Sequence, residues 1–250
     1  MLEQYPYDQV ERMFSASLEE KKTSIRCNLH KNSPNQLKKQ LQEEGVAVED
    51  SGYLDYAFYI RDYDYLDKLK AFREGRFTVQ DVSSQLVCQV ADIKGNDFVV
   101  DVCASPGGKS LHAAEKAKRV SARDLTEYKI HFIEENKKRL GLTNVEPLVW
   151  DATVFDPSIE QKADVVIADL PCSGLGVLGK KADIKYKLTQ KQQKELVELQ
   201  RKILTTVKDY VKSGGILIFS TCTVNKEENI DNRDWFLQSF DFEAESLDPY

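Results

Sequence analysis

The stretch Asp101-Val-Cys-Ala-Ser-Pro-Gly-Gly-Lys-Ser110 constrains this 250-residue chain more than any other. The run Asn96 to Val102 leading into it is short, β-branched and aromatic, the make-up of a buried strand. Ser110 to Lys118, which follows, favours helix and holds no breaker. Pro106-Gly107-Gly108 then predict a tight turn at a helix N-terminus, where backbone N–H groups are free to meet a ligand. Two readings compete. Gly108-Lys109-Ser110 matches the end of the phosphate-loop pattern G-x-x-x-x-G-K-[ST], which requires glycine at the position held by Cys103. The other reading is a nucleoside-type cofactor held against the turn.

The chain around that stretch alternates. A short strand over Lys118 to Asp124 precedes a helix over Tyr128 to Leu140 that Gly141 ends. Val145 to Asp151 is a third strand, and Pro147 makes it an edge. Ala163 to Asp169 is apolar and central. Gln190 to Lys212 is a long helix with Leu196, Leu199, Ile203, Val207 and Tyr210 as its buried stripe, followed by a strand over Ile216 to Cys222 and a helix over Asn225 to Phe240. This order predicts a doubly wound, mainly parallel α/β sheet over residues 76–250. Residues 1–75 read as a separate small α+β module. It has strands over Thr23 to Leu29 and Ala57 to Arg61, and helices over Pro34 to Glu44 (opened by Ser33) and Leu66 to Arg73. Its tyrosines, among them Tyr53, Tyr56 and Tyr65, could stack on bases; the commoner role is packing.

The chemically unusual groups fall at the carboxyl ends of predicted strands: Asp101 to Lys109, then Asp124, Asp151, Asp169 with Pro171-Cys172, and Thr221-Cys222. Those ends share one rim in an open parallel sheet, where ligands bind. Each acid alone could be a turn or cap residue. An acid about 20 residues beyond the glycine turn suits a ribose diol, and the absence of G-x-G-x-x-G disfavours a dinucleotide. Two rim thiols suggest covalent chemistry. The five cysteines are odd in number and hold no C-x-x-C pair, which predicts neither a disulfide framework nor a metal site and fits a reducing cytoplasm. The three histidines (His30, His112, His131) give a Cys-His protease little support. The net charge of −6 hides an asymmetry. Residues 176–212 carry ten basic against four acidic side chains, residues 225–250 two against eight. The first segment is either a solvated helix face or a surface for phosphates.

At these residues the chain resembles the RNA 5-methylcytosine methyltransferase family, in particular the bacterial Sun/Fmu (RsmB-like) branch acting on small-subunit ribosomal RNA. Four blocks carry the resemblance: Asp101 to Lys109, Asp169-Leu-Pro-Cys-Ser-Gly174, Asp183-Ile-Lys-Tyr186 and Ser220-Thr-Cys-Thr223. It implies a Rossmann-like S-adenosylmethionine-dependent methyltransferase with a small RNA-binding module before it, cytoplasmic and monomeric. It also implies that Cys103, Ala104, Ser105, Pro106, Gly107, Gly108 and Lys109 line the cofactor's amino-acid end, Asp124 its ribose and Asp151 its adenine, with Asp169 between cofactor and base. Cys222 would attack C6 of a flipped cytosine. Asp169, beside Lys109, would steady the adduct, and Cys172 would assist its release. RNA is the implied partner, with the basic segment after Cys172 facing its phosphates. Members of that branch carry a further helical domain at the N-terminus and a closing strand hairpin, so the resemblance predicts a fragment; Ser105 and Leu170 stand where alanine is common. A non-catalytic RNA-binding scaffold is the rival reading, and two exposed thiols speak against it.

Overall fold

The computed structural model describes residues 4–19, 22–181 and 183–248, with backbone alone at 185 and 187. In chain order the elements are α1 (Tyr7–Leu18), β1 (Thr23–Cys27), α2 (Pro34–Glu43), β2 (Ala47–Asp50), β3 (Ala57–Arg61), α3 (Lys70–Arg73), β4 (Phe77–Val79) and α4 (Val82–Val90). The second half continues with β5 (Phe98–Asp101), α5 (Gly108–Ala113), β6 (Arg119–Asp124), α6 (Glu127–Leu140), β7 (Val145–Val149), β8 (Ala163–Asp169), α7 (Ile184–Lys187), α8 (Gln190–Val207), β9 (Val211–Ser220) and α9 (Ile230–Ser239).

The first module is a β-α-β-β-α-β unit, an antiparallel sheet in the order β2-β3-β1-β4. Its apolar residues Ile25, Leu37, Leu41, Phe58, Ile60 and Phe77 meet in one core. Ser33 caps α2 in a reciprocal box with Gln36, as a serine before Pro34 predicts. β4 pairs with β1 although it lies beyond a division at 75/76, because Phe77 has no exposed surface and completes that core. The expected helix 66–73 is two pieces, a 3₁₀ turn (Leu66–Lys68) and α3, since Leu69 turns extended to bury its side chain. The tyrosines divide: Tyr56 and Tyr63 pack against the core, while Tyr53 and Tyr65 are exposed. α1 was not foreseen, and its sequence explains why: Val10 is its one buried residue.

The second sheet is parallel throughout, in the order β7-β6-β5-β8-β9. β7 is an edge and β8 is interior, as Pro147 and the apolar run Val165 to Ala168 of β8 predict. The strand period of two divides the core. Val99, Val165 and Ile167 face the layer that holds Leu111 and Ile133; Val100, Val166 and Ala168 face Ile203, Leu204 and Val207. α8 stops short of the expected end at 212, because Tyr210 is already buried in that second layer and the chain must turn there into β9. Gln200, Ile203, Leu204 and Val207 form its buried face, whereas Leu199 is exposed. Leu196 and Leu199 instead line a recess of about 400 Å³ beside Cys172. The expected helix 225–240 begins only at Ile230.

The module and the parallel sheet are bolted together by buried and half-buried polar groups. Arg26 of β1 pairs with Glu115 after α5, both almost fully buried, and Arg26 Nε donates to Gln80 at 2.8 Å. Arg139 of α6 donates to the carbonyls of Phe72 (3.0 Å) and Phe77 (2.9 Å). Breaking a buried pair from one side leaves a charge without compensation. Arg26→Ala is therefore expected to lower unfolding free energy by roughly 3–5 kcal/mol, measured as a drop in the urea midpoint; a change inside about 1 kcal/mol would contradict this role.

Candidate active site

The order β7-β6-β5-β8-β9 reverses between β5 and β8, the place where an open parallel sheet leaves a crevice above its carboxyl ends. The turn after β5 is clamped there from both sides. Val102 N–H donates to Ile167 of β8 (3.1 Å) and Ala104 N–H to Arg123 of β6 (2.8 Å). The Ser105–Pro106 peptide is cis, and Gly107 follows with φ +104°, a conformation for glycine. A Cβ on Gly107 would lie 2.9 Å from Leu111. α5 then starts at Gly108, so its first N–H groups have no intrahelical acceptor.

Asp124 ends β6 and closes the turn from the next strand. Its carboxylate accepts from Ser105 N–H at 2.9 Å and from Lys129 Nζ at 2.8 Å. Asp101 is buried. Ser110 Oγ donates to one oxygen at 2.5 Å, the other oxygen has no hydrogen-bond partner among the described residues, and burial pushes the carboxyl up to about 7. Burial, and then the carboxylates of Asp101 and Asp124, push the Cys103 thiol up, so it lines the turn as a neutral, unreactive group. Asp151 follows the edge strand β7; it is exposed, and its carboxylate is engaged by Thr153 at 2.8 Å rather than by the other rim residues.

At the next strand tip Asp169 takes Lys109 Nζ at 2.6 Å and Ser220 Oγ at 2.7 Å. The β8–β9 register sets Ser220 directly opposite Asp169, and Ser84 holds Lys109 from its other side at 3.3 Å. Three residues beyond Asp169 is Cys172. Its Sγ lies 3.2 Å from Cys222 Sγ, and Cys222 N–H donates to it at 3.3 Å. The loops carrying the thiols are joined again by Gly176 N–H to Cys222 O at 3.0 Å. A Cβ at Gly176 would stand 2.9 Å from that oxygen, so the approach needs glycine. The hydrogen bond from Cys172 brings the Cys222 thiol down to about 7, against desolvation, while Cys172 is driven up by the same contact. Cys222 is the exposed member, free to be solvated as a thiolate and to meet an electrophilic carbon.

The rim therefore brings Lys109 to Asp169, Ser105 to Asp124 and Cys172 to Cys222. Sequence reasoning passed over Ser84, Ser220 as a ligand of Asp169, and Lys129. Of these only Ser220 left a signal, standing two residues before Cys222 on a strand that must pair with the one ending at Asp169. Within the basic segment 176–212, residue 182 and the side chains of 185 and 187 lie outside the described residues, so Lys185 of the Asp183–Tyr186 block carries no structural statement. Among the described residues no group of three or more His, Cys, Asp or Glu could hold a metal, and no helix is long and apolar enough to cross a membrane.

A family model described as 16S rRNA methyltransferase RsmB/F matches residues 88–248. Another, described as a Methyltr_RsmF/B-like, ferredoxin-like domain, matches residues 1–63. The chain is 34% identical over 253 residues to the probable ribosomal RNA small subunit methyltransferase B of Bacillus subtilis, covering 96% of this chain and 55% of that protein. It is 35% identical over 170 residues to a tRNA (cytosine(72)-C(5))-methyltransferase of Pyrococcus horikoshii, covering 67% of this chain and 43% of that one. The crystal structure of PH0851 matches with a TM-score of 0.90 at 33% identity, over 96% of this chain and 55% of that chain. The chain spans about half the length of the curated relatives it matches.

Proposed function

We propose, from the premise that the chain belongs to the RsmB/F family of 16S rRNA methyltransferases, that it methylates C5 of a cytosine in RNA through a covalent adduct with Cys222. The observation that carries this reading is the thiol pair: Cys222 and Cys172 at 3.2 Å, beside the Asp169–Lys109 ion pair. A methyl transferase acting on a heteroatom has no use for two thiols. C5 of cytosine is a poor nucleophile until a group adds to C6, and an exposed thiolate at neutral pH is the side chain suited to that addition.

The methyl donor is S-adenosylmethionine, which supplies an electrophilic methyl group. The residues present fit a nucleoside cofactor: a side-chain-free turn at Gly107-Gly108, a buried carboxyl at Asp101 with one oxygen unpartnered, and Asp124 at the following strand tip. Asp124 would take the ribose hydroxyls and Asp151 would stand by the adenine. Ala104, Ser105 and Pro106 shape the turn, and Cys103 fills its wall as a neutral thiol.

Cys222 Sγ, as the thiolate, adds to C6 of the base, electron density reaches C5, and C5 takes the methyl group as its bond to the donor's sulfur breaks. Asp169, held by Lys109 and Ser220, accepts from the exocyclic amine of the base, and from N3 only once that nitrogen has taken up a proton on addition of the sulfur to C6. With Cys222 bonded to C6 its contact no longer drives Cys172 up, so Cys172 Sγ is the group placed to take the C5 proton; the C5–H electrons restore the C5–C6 double bond and Cys222 leaves as the thiolate. The first module, with exposed Tyr53 and Tyr65, and the basic side chains after Cys172 would hold the RNA around the flipped base.

The test is transfer of labelled methyl from S-adenosylmethionine to small-subunit ribosomal RNA, with the modified base mapped. Label at a cytosine C5 is expected; label on another base would overturn the assignment. Asp124→Ala removes a charged acceptor and frees the Ser105 amide, so cofactor affinity is expected to fall about tenfold or more. Titration calorimetry measures it, and an unchanged affinity would remove Asp124 from the cofactor site.

A further inference from the structure

Behind the two thiols lies a polar cluster that the chemistry above does not use. Glu228 has no exposed surface, and every group bonded to its carboxylate is an N–H donor. Oε2 accepts from Ser173 N–H at 2.8 Å and from Gln200 Nε2 at 3.0 Å, and Oε1 from Asn225 Nδ2 at 3.1 Å. The donors come from three separate elements. Ser173 follows Cys172, Asn225 lies three residues past Cys222, and Gln200 is on the buried face of α8. Gln200 also donates to Pro171 O at 2.8 Å, and its own oxygen accepts from Asn232 at 2.8 Å, which fixes the amide's orientation. Between the loops, Ser173 Oγ and Thr223 Oγ1 are 2.7 Å apart.

A buried carboxylate is costly to desolvate and is kept in place only by a full set of donors. Here that set is drawn from both thiol-bearing loops and the helix beneath them, so the same bonds that satisfy Glu228 set the spacing of Cys172 and Cys222. We propose that Glu228 is a positioning residue that holds the Cys172 and Cys222 loops with their sulfurs at hydrogen-bonding distance. This rests on the reading of Cys222 as nucleophile and Cys172 as its partner.

Glu228→Gln tests it with little change of shape. An amide has one acceptor oxygen where the carboxylate has two, so its NH₂ must face at least one of the three donors. The loops then separate, and Cys222 loses the thiol contact that holds its proton affinity down. The measurement is the rate of Cys222 alkylation by iodoacetamide against pH on the full chain, with the labelled peptide identified by mass. The expected result is a midpoint moved upward from that of the wild-type chain and alkylation at pH 7 slowed on the order of tenfold. In a Cys172→Ala background, Glu228→Gln is expected to leave the Cys222 profile unmoved, because the contact it positions is already gone. A general loss of structure would slow or speed alkylation in both backgrounds.

A folded Glu228→Gln protein with the wild-type profile overturns the proposal, and so does an equal shift in the Cys172→Ala background. If Glu228→Gln does not fold, Asn225→Ala removes one donor and keeps the carboxylate; a smaller upward shift supports the proposal and an unchanged midpoint overturns it. Alkylation needs neither RNA nor cofactor. A failure of the methyl-transfer reading therefore shows in the Cys222→Ala activity assay, while the alkylation profile reports separately on Glu228.

Discussion

Cys222→Ala is expected to abolish methyl transfer to RNA while cofactor affinity stays within about twofold. Loss of a covalent nucleophile costs on the order of 10⁴-fold or more in rate, because the remaining groups can bind and polarise but cannot make the bond. The cofactor turn lies after β5 and the cysteine after β9, on strands separated by β8, which is why the two effects should separate. The pH dependence follows from the thiol's position. The reactive form is the thiolate, and its hydrogen bond from Cys172 brings the Cys222 thiol from 9.0 to about 7. The single-turnover rate should therefore climb as pH rises through about 7, where an ordinary thiol would still be protonated. Methyl transfer that survives Cys222→Ala at a comparable rate would remove the nucleophile assignment.

Cys172→Ala should behave in the opposite way toward the adduct. Attack by Cys222 does not need Cys172 as a bond-forming group, but departure of Cys222 needs a group to help take the C5 proton away. A covalent protein–RNA species should accumulate, seen as a slowly migrating band on a denaturing gel that disappears on RNase treatment and requires S-adenosylmethionine. The 3.2 Å contact adds a second effect of opposite sign. Without Cys172 the Cys222 thiol reverts toward its ordinary value, so the adduct should form more slowly at pH 7 and faster at higher pH. A Cys172→Ala protein that binds RNA and gives no adduct at either pH would overturn the release role.

How far the sequence reached differs between the two halves. The parallel sheet was legible strand by strand: Ala163–Asp169 was bounded to the residue, and Pro147 marked the edge. Apolar runs buried on both faces have no rival conformation of lower cost once glycine turns bound them. The small module was read less completely. β2, Ala-Val-Glu-Asp, has two charged residues in four and became a strand only because β3 was there to pair with it. β4 is three residues long and is likewise defined by its neighbour β1. Glu228 shows the limit most plainly. It sits in a strongly acidic C-terminal segment, expected to be helical from Asn225, where nothing in the charge count sets it apart from the other acids. In the fold residues 225–229 precede the helix, and the carboxylate is wholly buried.

What the residues alone determined is which groups meet the rim. Each of Asp124, Asp151, Asp169 and Cys222 ends a predicted strand, and parallel pairing leaves such ends on one side. What only the tertiary structure decided is which of those groups act on each other. Cys172 and Cys222 are 50 residues apart, and Lys109 and Asp169 are 60 apart. Strand order and register bring them into contact, and Glu228, buried under both loops, is bonded to each. Local sequence preference acts over a few residues, whereas the separation of two sulfur atoms is set by every bond that fixes the loops between them.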